Sequence, residues 1–189
     1  MLSERERSSL RRDILEHLPA GASLASKLVI RDLLEGFKPF ASFDRNGLSS
    51  DIAFTCPGHP AWSSELATSV LDMTRQNMKA LYEAAAGWGW KDGDKRAELL
   101  HPDNRYLVAR ARGGGSAPAA AGGGSTASSE ACAAGELLGF VSFRFLPEGD
   151  FDLLYVYELQ TGPKAQRKGL GKHLMQMCEL IARKYGMQG

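Results

Sequence analysis

The feature that most constrains the fold is a strand-like run followed by a basic, glycine-containing loop and an amphipathic helix. The run LLYVYELQ is rich in residues that favour strands, and Thr161-Gly162-Pro163 separates it from the loop QRKGLG, which begins at Gln166. Apolar residues then recur at helical spacing and define one helix face: Leu170, Leu174, Met177, Cys178 and Ile181. A strand that leads through a short loop into such a helix requires a sheet with helices packed on it.

The loop before this helix has the chemistry of an anion-binding site. Gly169 and Gly171 allow the backbone to approach a ligand, and the N–H groups at a helix N-terminus carry a partial positive charge. Arg167, Lys168 and Lys172 add three formal positive charges within six residues. These features suit a phosphate or pyrophosphate group.

Two common phosphate-binding motifs do not fit this loop. In a Walker A motif the lysine is followed by Ser or Thr, whereas Lys172 is followed by His173, and the glycine that should open the motif is missing. A dinucleotide fingerprint needs three glycines spaced GxGxxG, and only two are present here, in the wrong register. The remaining pattern is [QR]-x-x-G-x-[GA] after a strand.

The middle of the chain predicts a sheet beside a long helix. Residues 105–111, 137–145 and 152–160 are predicted strands, and the turn-rich link 146–150 makes the last two an antiparallel hairpin. Residues 64–86 are a predicted helix whose apolar face consists of Leu71, Met78, Leu81, Tyr82 and Ala85. The order helix, strand, strand, strand, helix predicts the α+β or α/β class, with a mainly antiparallel sheet and flanking helices.

The N-terminal third is predicted to be a separate extension, residues 1–63, that is mainly helical. Residues 10–18 and 24–37 show helical patterns, and a turn at 44–47 precedes a short strand with Ile52, Phe54 and Cys56 on one face. The main domain is then expected to span residues 64–189.

One segment of biased composition interrupts the predicted sheet. In residues 111–135, 20 of the 25 residues are Ala, Gly or Ser, and such a stretch buries too little apolar surface to offset an ordering cost of about 1–2 kcal/mol per residue. It is either a linker between domains or a long disordered loop inside one domain. Because both flanks resemble strands, we favour a hairpin with an enlarged loop, which costs only ~0.6 kcal/mol per doubling of length.

Composition argues against several classes of partner. The formal net charge is +1, so no bulk binding to nucleic acid is expected, and no apolar run reaches the ~18 residues of a membrane span. The three cysteines are widely spaced and include no CxxC pair, which favours a reducing compartment. Neither the cysteines nor the four isolated histidines form a metal-ligand pattern, and no metal site is expected.

The pattern from Gln166 to Gly171 resembles the acetyl-CoA signature of the GNAT superfamily of N-acetyltransferases. The resemblance narrows to the N-alpha-acetyltransferase D (NatD) family, which modifies the amino terminus of histones that begin Ser-Gly-Arg-Gly. Its further elements occur in one order between about residues 36 and 189, outside the Ala/Gly/Ser segment: DRNGL, NM followed by LYE, WGWKD, FRF, LLYVYE and RKGLGK.

This resemblance implies a three-layer α/β GNAT fold and an acetyl-CoA-dependent N-alpha-acetyltransferase. The implied partners are acetyl-CoA as co-substrate and the N-terminal tails of core histones, with the ribosome as a further candidate. No metal, nucleic acid or membrane is implied, and the expected localisation is cytoplasm and nucleus.

The resemblance also assigns catalytic roles to three residues of the strand 153–160. Glu158 is the expected general base, acting directly or through water, and Tyr155 and Tyr157 are expected to position the substrate. One of the two tyrosines is a candidate acid for the leaving thiolate. In a regular strand Tyr155 and Tyr157 would lie on one face and Glu158 on the other. The three catalytic roles therefore require the bulge that this strand carries in the acetyltransferase fold, which would turn all three side chains toward one centre. The alternative is that the tyrosines pack in the sheet and Glu158 is solvated.

Further residues are expected to bind the two substrates. The residues expected to bind acetyl-CoA are Leu159, Gln160, Thr161, Gln166, Arg167, Lys168, Gly169, Leu170, Gly171 and Lys172. The residues expected to contact the peptide are Tyr82, Trp88 and Glu148. Buried aromatic packing is the alternative for Trp88 and Trp90. The sequence departs from the family at Leu146, where an acidic residue would read the substrate's arginine.

The resemblance further leads us to expect that the fold is incomplete at its C-terminal end. GNAT domains continue after the motif helix into another strand, whereas this sequence stops at Gly189. We therefore expect an exposed strand edge and a partial acetyltransferase domain whose activity in the 189-residue form is in doubt. Two alternatives remain: a non-catalytic module that binds CoA or a histone tail, and a GNAT enzyme that acts on lysine or small amines.

Overall fold

A computed structural model describes residues 33–112, 132–148 and 151–187. A short 3-10 helix, Lys38–Phe40, precedes five strands and three α-helices. The strands are β1 (Ser42–Arg45), β2 (Leu48–Thr55), β3 (Arg105–Ala111), β4 (Leu137–Glu148) and β5 (Phe151–Thr161). The helices are α1 (Ser64–Ala84) and α2 (Asp92–Leu99), which lie between β2 and β3, and α3 (Leu170–Lys184), which follows β5.

The strands form one antiparallel sheet in the order β1-β2-β3-β4-β5. Each strand pairs with its neighbour along the chain, so the connections are hairpins except where α1 and α2 are inserted. This confirms the predicted α+β class with a mainly antiparallel sheet.

Helices cover both faces of the sheet, which gives three layers. On one face the buried side of α3, including Leu170, Leu174 and Ile181, packs against sheet residues such as Val141 and Phe143. On the other face, α1 and α2 pack against Tyr106, Val108 and Phe140; the helix residues there are Leu66, Val70, Leu71, Met73 and Leu99. The face of α3 that the sequence predicted is the buried one.

The pairing of β3 with β4 resolves the role of the Ala/Gly/Ser segment. Arg105 lies opposite Phe143 and Ala109 lies opposite Gly139 in one antiparallel ladder. The segment therefore connects two neighbouring strands of one sheet, as the hairpin interpretation predicted. Its central residues, 113–131, lie outside the described residues.

The structure corrects the predicted N-terminal extension in part. The short strand predicted around Ile52 and Phe54 is present as β2, but β1 and β2 belong to the same sheet as β3 to β5 and not to a separate extension. The turn between them contains Asn46 and Gly47, both with positive φ (52° and 70°), which is the conformation that a tight two-residue hairpin requires. The predicted helix 10–18 and most of 24–37 lie outside the described residues.

The apolar face predicted for α1 is wrong in its second half. Ser63 caps the helix by accepting a hydrogen bond from the Leu66 N–H (3.1 Å), close to the predicted start. The buried residues all lie in the first half, whereas Leu81 is 62% exposed and Ala85 is also exposed. Spacing predicts the helix, but which half of it meets the sheet depends on tertiary packing.

The hairpin of β4 and β5 is longer than predicted and contains a bulge. Leu146 still pairs with Leu153, and Glu148 pairs with Phe151, so the pairing continues to the end of β4. The register shifts where Ser142 lies opposite Glu158 and Phe143 lies opposite Val156. Tyr157 is therefore the extra, unpaired residue of β5.

No helix among the described residues is long and apolar enough to cross a membrane.

Candidate active site

Glu158 is a nearly buried carboxylate on β5. Its side chain is 11% exposed, its Oε1 accepts a hydrogen bond from Gln160 Nε2 (2.6 Å), and its Oε2 lies 3.7 Å from Lys95 Nζ. Burial raises the pKa of Glu158, and the Gln160 hydrogen bond and the Lys95 charge reduce that rise. The alternative that Glu158 is a solvated surface residue is therefore wrong.

Lys95 is the charge partner of Glu158, and sequence reasoning missed it. It lies on α2, is only 7% exposed, and donates hydrogen bonds to Glu98 Oε2 (2.9 Å) and to the Tyr82 hydroxyl (3.2 Å). One signal was available: Lys95 precedes Leu99 by four residues and so shares its face, and Leu99 is buried against the sheet. A lysine on the inward face of a short helix indicates a buried partner.

The bulge places both tyrosines on the same side of the sheet as Glu158. Tyr155 lies opposite Arg144, whose guanidinium stacks on the Tyr157 ring at 4.2 Å, and the two tyrosine rings meet edge to face at 4.9 Å. Val156, by contrast, packs into the core beneath α3. The structure thus brings together the three predicted catalytic residues, because Tyr157 and Glu158 turn to one face at the bulge.

Two side chains that sequence reasoning did not select, Arg144 and Asn77, stabilise this arrangement through hydrogen bonds. Arg144 donates from Nε to Asn104 Oδ1 (2.6 Å), which fixes the guanidinium against Tyr157. Asn77 on α1 donates to Gln160 Oε1 (2.7 Å) and to the Thr161 carbonyl (3.1 Å). The side chain of Gln160, predicted to bind acetyl-CoA, therefore links α1 to Glu158.

The predicted peptide-contacting aromatics form a cluster where α1 ends. The Tyr82 ring lies edge to face against Trp88 (5.8 Å) and against Trp90 (5.6 Å). Trp88 is 69% exposed, so buried packing is the wrong interpretation for it. Trp90 packs partly against the core beneath α1 and donates its indole N–H to Asp92 (2.7 Å). Because Tyr82 contacts Lys95, the cluster adjoins the surroundings of Glu158.

The third predicted peptide contact, Glu148, lies away from this cluster. It pairs with Phe151 at the far end of the hairpin, whereas Ser142 is the residue opposite Glu158. Six residues of strand separate Ser142 from Glu148, a distance of about 20 Å along β4. A peptide with its amine at Glu158 would have to extend along the hairpin to reach Glu148.

The predicted anion-binding loop lies at the N-terminus of α3. Gly169, at the N-cap, has φ 95°, and Arg167 also has a positive φ of 59°. The first backbone bond of the helix runs from the His173 N–H to the Gly169 carbonyl (3.1 Å), so the N–H groups of residues 170–172 are not used within the helix. Arg167 and Lys172 are exposed beside them.

The predicted loop residues differ in what they can offer a ligand. The Leu170 side chain is fully buried in the core, so Leu170 can contribute only its backbone N–H. The Gln166 side chain donates to the Thr161 carbonyl (3.2 Å), which braces the loop against β5. The Leu159 side chain packs against the core, and the Lys168 carbonyl accepts from Asn46 Nδ2 on the β1–β2 turn (2.9 Å).

Gly171 provides a test of whether the loop fits a phosphate group. A Cβ built there would meet Leu159 and Thr161 only at 3.8 Å, an ordinary contact, and its φ is not positive. Neither packing nor backbone conformation among the described residues requires glycine at this position. The unused N–H groups and the exposed cations together fit a pyrophosphate.

A nearly buried carboxylate on β5 and a helix N-terminus with unused N–H groups beside exposed cations suit an enzyme that transfers a group from a phosphorylated carrier to a nucleophile. Comparison with known families narrows this class. Residues 75–189 match the acetyltransferase (GNAT) family, and the chain belongs to that family. Acetyl-CoA is the acetyl donor that this membership indicates, and no cluster of three or more candidate metal ligands occurs among the described residues.

Several solved structures are similar to this chain. Ribosomal-protein-alanine N-acetyltransferase from Brucella melitensis biovar Abortus 2308 shares 18% identity, with 74% of this chain and 76% of that chain covered and a TM-score of 0.46. The aminoglycoside acetyltransferase meta-AAC0020 from an uncultured soil metagenomic sample shares 13% identity (74% and 73% covered, TM-score 0.45). Arabidopsis thaliana NAA60 shares 15% identity (70% and 66% covered, TM-score 0.33).

Proposed function

We propose that this chain transfers the acetyl group of acetyl-CoA to the α-amine of protein N-termini, with histone-type Ser-Gly-Arg-Gly termini as substrates. The observation that carries the proposal is the position of Glu158, nearly buried and on one face of the sheet with Tyr155 and Tyr157. The resemblance to the NatD family supplies the substrate class. From the same resemblance we also propose that the enzyme acts in cytoplasm and nucleus, with histone tails and the ribosome as partners.

The chemistry required of Glu158 matches an α-amine better than a lysine. A terminal amine has a pKa of about 7.7–8.0 against about 10.4 for lysine, a difference that amounts to ~3.4 kcal/mol. An α-amine therefore needs only modest help to lose a proton, and a carboxylate whose pKa burial has raised is suited to take it.

The remaining residues would bind and orient the reactants. Bound acetyl-CoA supplies the thioester carbonyl that the amine attacks. The N–H groups of residues 170–172, with Arg167 and Lys172, would hold its pyrophosphate. Glu158 accepts the proton of the attacking amine, directly or through water, and Tyr155 or Tyr157 donates a proton to the departing sulfur. Tyr82 and Trp88 would hold the incoming peptide, and Glu148 would contact it further along the hairpin.

The test is acetyl transfer to a Ser-Gly-Arg-Gly peptide that also contains a lysine, compared with the same peptide blocked at its N-terminus. Tandem mass spectrometry identifies the modified amine. Transfer to the free α-amine alone is the expected result. Transfer to the lysine of both peptides would overturn the N-terminal specificity, and binding without transfer would indicate a non-catalytic module.

The Asn46 side chain gives a prediction for acetyl-CoA binding. Asn46→Gly keeps a residue that tolerates the positive φ of the turn and removes the hydrogen bond to the Lys168 carbonyl. Since such a bond contributes about 0.5–1.5 kcal/mol, we expect CoA to bind about 2- to 12-fold more weakly by isothermal titration calorimetry. Thermal melting of both proteins shows whether the turn survives. An unchanged affinity would mean that the turn does not position the loop.

A further inference from the structure

The Lys95 ammonium lies between three side chains that belong to different parts of the site. Its Nζ is 2.9 Å from Glu98 Oε2, 3.2 Å from the Tyr82 hydroxyl and 3.7 Å from Glu158 Oε2, and it stands over the Tyr82 ring at 5.1 Å from the centroid. At 7% exposure it is largely shielded from solvent. One nearly buried cation thus joins the proposed base to the proposed peptide-binding aromatics.

Charged and titratable groups approach Glu158 from each element packed around it. On α2, the Lys95 charge stabilises the ionised form of Glu158, and the Glu98 charge destabilises that form. The other such side chains around the cluster are Tyr82 from α1, Tyr106 from β3, Arg144 from β4 and Tyr157 from β5. Tyr106 is nearly buried and donates its hydroxyl proton to the Leu99 carbonyl (2.6 Å), and Arg144 is held by Asn104 and Tyr157. Among the described residues, Lys95 is therefore the cation that forms an ion pair with Glu158.

We propose that Lys95 is a positioning residue for acetyl transfer: its ammonium, 3.7 Å from Glu158 Oε2, favours the carboxylate form of the nearly buried Glu158 and links it to Tyr82. This inference rests on the proposed function of Glu158 as base. Replacing Lys95 with an apolar residue would leave Glu158 beside Glu98 without a direct countercharge, in surroundings that already disfavour the carboxylate.

Lys95 itself stays charged and does not act as a base or as an acetyl acceptor. Burial lowers the pKa of Lys95, but the hydrogen bonds to Glu98 and Tyr82 and the negative charges of Glu98 and Glu158 together outweigh burial, so the net pKa lies above the ordinary lysine value. Its effect on the reaction is therefore electrostatic and geometric, exerted through Glu158.

Two substitutions with opposite expected effects test the proposal. In Lys95→Met we expect the acid limb of the kcat/KM profile to move to higher pH by about one unit or more, since loss of a countercharge raises the pKa of Glu158; one unit is a tenfold change in the ionised fraction below the pKa. In Glu98→Gln the opposing carboxylate is lost, and the limb should move to lower pH. Lys95→Arg, which keeps the charge, should restore most of the Lys95→Met shift.

The matched control is Lys91→Met, because the Lys91 side chain is 76% exposed and its ion pair among the described residues is with Asp94 (3.9 Å), not with Glu158. Its profile should equal that of the unmodified protein. Shifts of the same sign in Lys95→Met and Glu98→Gln, or no shift in either, would overturn the proposal and leave Lys95 with a structural role. If Lys95→Met does not fold, the other two variants decide whether the proposal holds. The acid limb of the kcat/KM profile should move to lower pH in Glu98→Gln and should stay close to that of the unmodified protein in Lys95→Arg.

A second readout separates this inference from the proposed function. Carbon-13 NMR of the Glu158 carboxyl carbon follows its titration directly and requires no turnover. If the unmodified protein transfers no acetyl group, the proposed function fails, yet the Glu158 titration in Glu98→Gln and Lys95→Met still supports or refutes the electrostatic role of Lys95.

Discussion

Glu158→Gln is expected to lower kcat/KM for acetyl transfer by about 10²- to 10⁴-fold, the usual contribution of a general base. Gln is close to Glu in size and its carbonyl oxygen can still accept from Gln160, so the hydrogen bond at 2.6 Å has a replacement. What the variant loses is the capacity to take a proton from the amine. Steady-state kinetics with the Ser-Gly-Arg-Gly peptide, near neutral pH, measures the effect.

The control for this experiment is Glu148→Gln, which makes the same chemical change at an exposed position on the paired strand. It should leave the chemical step intact and, if Glu148 contacts the peptide, raise only KM for the peptide. Acetyl-CoA affinity should be equal in both variants. Full activity in Glu158→Gln would show that the carboxylate is not the base and would remove the main support for the proposed mechanism.

The second large effect is expected from Gly139→Ala in β4. A Cβ at this position would lie 2.7 Å from the Gln160 carbonyl oxygen, 3.2 Å from Thr161 Cγ2 and 3.3 Å from Leu170 Cδ2. The first contact is with backbone, which cannot rotate away, so β5 must shift. We expect a loss of about 3 kcal/mol in the free energy of unfolding, at the upper end of typical overpacking costs.

For a domain of this size, 3 kcal/mol corresponds to a fall of roughly 6–12 °C in Tm, measured by circular dichroism or calorimetry. Gly89→Ala is the matched control, because no atom lies within 4 Å of a Cβ built there and its φ is not positive. The displacement of β5 also moves Gln160, which hydrogen-bonds to Glu158. Acetyl transfer by Gly139→Ala should therefore be slower than that of the unmodified protein even at temperatures below the Tm of the variant. Equal Tm values in the two variants would mean that β4 and β5 accommodate the methyl group.

Local sequence patterns predicted the helices and strands of this fold better than they predicted the contacts between them. The buried face of α3 follows from residue spacing, because burial on one side imposes a period that the sequence displays. The strands β3 and β5 follow from their content of residues that favour strands. The exposure of Leu81 could not be predicted, because it depends on where the sheet ends beneath α1. The membership of β1 and β2 in the main sheet depends on long-range pairing, which short patterns do not encode.

The same distinction holds for the site. Glu158 and the loop from Gln166 to Gly171 lie in a contiguous motif and could be selected from the sequence. Asn77 could not, and Lys95 carried only the signal of its spacing from Leu99, since both reach Glu158 and Gln160 from separate helices through contacts distant in sequence. The fold is needed to show which groups the two side chains contact.

The bulge at Tyr157 determines which side chains of β5 lie on the proposed catalytic face of the sheet. If the unchanged sequence paired in strict alternation, Tyr157 would lie opposite Ser142, and Glu158 would turn to the face opposite Tyr155 and Tyr157, although every functional side chain would still be present. The register of β5 on β4 is thus as decisive as the residue types. A change elsewhere in the hairpin that closes the bulge should therefore abolish the arrangement without altering any of the three residues.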